Sequence, residues 1–139
     1  MSENDVYKSP AWAWNADWDP DNHPSADPQM ARLRANVVEL IRHFAHANHL
    51  GFAECRVFYS PQEWAERGEL YGTGSLLVVV YDGASIGDAI EYDRCNYGLI
   101  KKLADELSEY GMFITPCTCW YAAIHYEAKY ATRSFEEKT

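Results

Sequence analysis

Histidines, thiols and carboxylates form the groups in this chain whose spacing could serve chemistry. His43, His46 and His49 recur every third residue. Metal-binding pairs on a helix usually stand four apart, as in HExxH. On a helical wheel these three fall opposite or beside the apolar stripe, with Glu39 one turn before His43. A solvated helix face with an ordinary ion pair is the expectation.

The thiols Cys117 and Cys119 precede Tyr121 and His125. On a continuous strand all four would share one face, because side chains alternate. Two thiolates and an imidazole could begin a zinc site, completed by Cys55 or Cys95. Residues two apart on a regular strand are separated by about 6–7 Å. That is long for one tetrahedral ion unless Pro116 bends the chain. The four cysteines are therefore expected to be reduced thiols in the core, with no cofactor and no metal. A nucleophile pair of Cys119 with His125 is out of reach, since six residues of one strand separate them.

A carboxylate run, Asp82, Asp88, Glu91 and Asp93, follows an apolar segment. Such loops bind ligands in many α/β folds, and oxygen ligands can hold a divalent cation. The spacing matches no EF-hand. The glycine loop Tyr71-Gly72-Thr73-Gly74 lacks the lysine of a phosphate-binding P-loop. No GxSxG, HExxH, Walker or Rossmann signature occurs, so no catalytic residue is assigned.

These groups must be positioned by elements that the pattern predicts. Met30, Leu33, Val37, Leu40, Ile41 and Phe44 form a helical stripe over 28–49, with Asp27 as cap, Pro28 at the first position and Gly51 as the stop. A strand is expected over 53–59. Ser60, Pro61 and Glu63 then make a capping box for a short helix through Arg67 that carries Trp64. Leu76 to Tyr81 is apolar throughout, the mark of a central strand covered on both faces. A polar loop and a second helix over 93–110 follow, with Leu99, Ile100, Leu103, Leu107 and Tyr110 on one face. Strand is expected over 112–115 and 117–126, interrupted at Pro116, which suits an edge or a bulge.

The predicted fold is an α+β two-layer sandwich: a three- to four-stranded sheet packed by two amphipathic helices plus one short helix. Three regions are expected. Residues 1–27 form an aromatic, Pro- and Asp-rich arm with Trp12, Trp14 and Trp18. Residues 28–128 form a single α/β domain, and 129–139 a charged tail that frays. The arm would strap onto the domain or anchor a partner. Cover for the second sheet face could come from the arm, the short helix or a second copy in a homodimer.

Composition limits the function. The 139 residues are 47% hydrophobic, ample for one core. No apolar run approaches bilayer-spanning length and no leader peptide is visible, so a cytoplasmic protein without membrane contact is expected. The net charge is −9, from 21 acids against 12 bases. That disfavours direct nucleic-acid binding, which relies on a basic surface. It favours a basic protein partner, steered by long-range attraction. The leading expectation is a small, acidic, non-enzymatic interaction protein. It would bind a basic surface through Trp12, Trp14, Trp18, Asp82, Asp88, Glu91 and Asp93, as nucleic-acid mimics and inhibitors of the phage and plasmid type do. The alternative is a small-molecule-binding domain or enzyme, with a pocket between Cys117, Cys119, Tyr121, His125 and the loop 82–93.

Overall fold

The computed structural model describes residues 28–69 and 71–135. Trp12, Trp14, Trp18 and the cap Asp27 lie outside the described residues. In chain order the elements are α1 (Pro28–Ala47), β1 (Phe58–Tyr59), α2 (Pro61–Glu66), β2 (Leu77–Val80), 3-10 turns at Ser85–Ala89 and Tyr92–Arg94, α3 (Tyr97–Ser108), β3 (Met112–Pro116), β4 (Tyr121–Tyr126) and a 3-10 turn at Ala128–Tyr130. The strands form a four-stranded antiparallel sheet in the order β1-β2-β4-β3. The fold is thus an α+β sandwich.

The all-apolar strand is central, as its composition demands. All four residues of β2 are buried. Leu77 and Val79 face the main core with Val37, Ile41 and Phe44 of α1 and Leu103 and Leu107 of α3. Val78 and Val80 face a smaller cluster built on Trp64 and Tyr121. The second sheet face is therefore partly covered by α2. The Ser60–Glu63 capping box is present: Glu63 N donates to Ser60 Oγ at 3.1 Å, and Ser60 N donates to Glu63 Oε1 at 3.0 Å. It starts the helix that swings Trp64 over the sheet. Trp64 is fully buried, and its Nε1 donates to the Tyr71 carbonyl at 3.0 Å.

Several boundaries differ from the sequence expectation. The stop of α1 is not Gly51 but His49, which adopts φ 57°. His49 N donates to His46 O at 3.3 Å and Leu50 N to Ala45 O at 2.8 Å, the paired bonds of a Schellman motif. Gly51 instead donates its N–H to Ser85 Oγ at 2.6 Å. The strand expected over 53–59 shrinks to Phe58–Tyr59, with Glu54 and Cys55 in a bend; Val57 O still accepts from Val80 N at 2.8 Å. The segment after β2 is not a solvated loop. It coils into 3-10 turns that bury Ile86, Ala89 and Ile90 in the main core. These turns delay α3 to Tyr97: Cys95 adopts φ 62°, and the Asn96 side chain caps Leu99 N at 3.3 Å.

The strand expected over 117–126 is cut at its start. Residues 117–120 are the connecting loop of the β3–β4 hairpin, where Cys117 N and Thr118 N donate to Tyr121 O at 3.1 and 3.2 Å. Pro116, with no N–H to offer, ends the edge strand β3. As far as Phe135 the tail makes contacts with the domain. Thr132 N and Arg133 N donate to Glu109 O at 2.8 and 2.9 Å, and Phe135 stacks on Tyr110 at 4.0 Å.

Candidate functional site

The end of β2 carries most of the groups singled out above. Tyr81 leads into Asp82 and Gly83, whose φ values of 36° and 88° belong to a tight turn closed by Ala84 N donating to Tyr81 O at 2.6 Å. Two consecutive positive φ values are the backbone requirement of a type I′ turn, which Asp-Gly meets at low cost. The chain then returns through its 3-10 turns to place Glu91 and Arg94 beside Tyr81.

The four carboxylates do not converge. Asp82 and Asp93 are exposed. Asp88 accepts from Arg94 Nη1 at 3.2 Å. Glu91 is only 9% exposed and faces the Tyr81 hydroxyl. Burial raises the Glu91 carboxyl above its ordinary value, the negative charge of Asp93 adds to this, and Tyr81 and Arg94 oppose it. The Tyr81 hydroxyl is pushed far up, first by burial and then by the Glu91 charge, so it stays protonated. It also donates to the Thr118 carbonyl at 3.3 Å. Arg94 Nη1 donates to the Ala84 carbonyl at 2.7 Å, and its guanidinium lies against Gly87, where a Cβ would come within 2.6 Å. Of the four, Asp82 and Asp93 face outward, Asp88 pairs with Arg94 within the 3-10 turns, and Glu91 faces Tyr81 at the end of β2.

The thiols are mostly outside the core. Cys55, Cys95 and Cys119 are exposed, and Cys117 is half-buried against the Trp64 cluster. This corrects the expectation of four core cysteines; placing them on a bend, a turn and a hairpin loop removes the neighbours a strand would have supplied. Burial pushes the Cys117 thiol up, a hydrogen bond from the Ala123 backbone opposes this, and the Glu91 charge adds to the rise. Burial, then Asp82, also raises Cys55, against Arg67. Thiols so held are protonated and weakly nucleophilic at neutral pH.

The proposed face of Cys117, Cys119, Tyr121 and His125 is not assembled. Tyr121 and His125 do share a sheet face, but Tyr121 is buried under Trp64, with ring centres 4.8 Å apart. His125 sits four residues on, about 13 Å along the strand. There it stacks on its cross-strand partner Phe113 at 5.3 Å. Among the described residues, no group of three or more His, Cys, Asp or Glu side chains could hold a metal ion. Of the histidine row, His43 and His49 are exposed and His46 is half-buried.

Two arginines escaped the sequence reading. Arg94 sits in the acidic run, and Arg34 lies on the inner stripe of α1 between Met30 and Val37. A cation at a core position of an amphipathic helix is a legible signal, because such a charge must find compensation. No family model matches the chain, and neither a curated protein nor a solved structure does. No described helix is long and apolar enough to cross a membrane.

Proposed function

We propose that this protein is an acidic interaction module that receives a basic protein surface on the projecting turn 92–97. One observation carries the reading. Tyr92 and Tyr97 are 62% and 60% exposed, and Asp93 between them in sequence is exposed too. Tyrosines bind Lys and Arg side chains through their ring faces, and a nearby carboxylate adds charge. Aromatic side chains of this kind often dominate binding energy.

The turn is held before any partner arrives. Arg94 is anchored to Ala84 and Asp88, and Asn96 caps α3. Pre-ordering lowers the conformational cost of association. The net charge of −9 would speed encounter with a cationic surface. A nucleic-acid-binding partner, whose basic groove ordinarily meets phosphates, has the complementary chemistry. Inhibition of such a partner by occupying that groove is the form of activity this reading implies.

Immobilised protein exposed to cell extract at low salt should retain a basic protein. Raised salt should release it. A D93N variant and a Y92A/Y97A variant should each retain less of it. Retention that ignores both salt and the substitutions, or no retention of any basic protein, overturns the proposal.

A further inference from the structure

A second feature lies at the opposite end of β2, away from the turn 92–97 and independent of it. A cleft of about 450 Å³ opens between α1, α2, the loop before β2 and the ends of β3 and β4. That volume suits a small molecule. Its floor includes Arg34, which is only 5% exposed. Arg34 Nε donates to the Leu76 carbonyl at 2.6 Å. This uses one of the five N–H donors of a guanidinium.

Among the described residues the charge has no carboxylate partner. None of the ion pairs among the described residues includes Arg34. The acid whose field reaches it is Glu63, and that carboxylate is already held by Arg56 at 2.6 Å and by Ser60 N at 3.0 Å. Burial weakens the hold of Arg34 on its proton, the sign of a desolvated cation. A buried cation without a counter-ion is costly, and an arriving anion relieves that cost. A second, independent mark is that Gln62 also lines the cleft and that, among the described residues, its buried Oε1 has no hydrogen-bond donor. Such an acceptor asks for a donor on whatever binds. Leu76 and Phe113 supply apolar walls, while the exposed Glu127 at the rim disfavours multiply charged anions.

We propose that this cleft binds a small, singly charged organic carboxylate bearing a hydroxyl or amide donor. Arg34 pairs with the anionic group, and Gln62 Oε1 accepts from the donor.

The test is NMR of the arginine Nε–Hε signals in the full chain. Glycolate, acetate and inorganic phosphate are titrated separately at constant ionic strength, with chloride as the background. The Arg34 signal should move saturably with glycolate and, more weakly, with acetate, while the other arginines stay in place. A response to phosphate alone overturns the carboxylate assignment. The substitution Thr73→Glu puts a negative charge on an exposed residue of the rim, and should weaken binding about tenfold. Gln62→Ala should weaken glycolate and leave acetate unchanged. An Arg34 signal indifferent to all three anions overturns the site, and so does one whose response survives Thr73→Glu undiminished in a folded variant.

Discussion

Glu91 and Asp93 stand two positions apart and meet opposite fates. Asp93 points to water, and Glu91 turns inward to Tyr81. Burial raises the Glu91 carboxyl, so the native state holds that proton more tightly than the unfolded chain does. The resulting stabilisation is fully present below the unfolded carboxylate value and is lost as pH rises through the folded one. Glu91→Gln removes this titration while keeping an acceptor for the tyrosine. Its stability relative to the parent protein should therefore improve as pH rises from about 4 to about 7. Urea unfolding midpoints at the two pH values measure it, and a pH-independent difference would exclude Glu91 as the titrating group. The acidic run was legible as a run. Which members point inward was not, because that depends on Tyr81 and Arg94 arriving from either side.

Among the elements, the capping box before α2 is a local device. Its hydrogen bonds span three residues, and its residues announce it. The end of α1 is local too, yet it falls on His49 rather than on the nearby glycine. A side chain at φ 57° costs more than glycine would. His49→Gly should raise stability by roughly 0.5–1 kcal/mol, seen as a higher melting temperature. Gly51→Ala should change stability little, since the added Cβ would sit 3.6 Å from Ser85 Oγ and the backbone there is not left-handed. The reverse ranking would show that Gly51 terminates the helix. Composition predicts strand broken only at Pro116 across the β3–β4 hairpin, because Cys117, Cys119 and Trp120 have the residue types of a strand. The turn becomes visible only when Ile114 is seen to pair with Ile124.

Across the whole molecule, the sheet separates a large core under α1 and α3 from a small aromatic one under α2. Trp64 joins the small core together through Tyr59, Trp120 and Tyr121 at ring-centre distances of 4.9, 5.8 and 4.8 Å. Trp64→Ala should cost about 3–5 kcal/mol in a denaturant titration. The same change should bring the Cys117 thiol, which packs against this cluster, to react with a thiol reagent as fast as the exposed Cys119. Continued protection of Cys117 in the folded variant would mean that the main core, not the aromatic one, shields it.

The sequence by itself determined what depends on neighbours a few residues apart. This covers the stripe of α1, the capping box, the doubly covered strand over 77–80, the amphipathic face of α3 and the edge role of Pro116. Helical and strand periodicity, and the missing N–H of proline, act within one element, so they can be read along the chain. Tertiary structure alone decided the strand order β1-β2-β4-β3, the inward turn of Glu91, the outward placement of three thiols, the parting of His125 from Cys117 and the burial of Arg34. Each of these turns on burial and on partners far away in sequence, and both exist only once the two layers have packed.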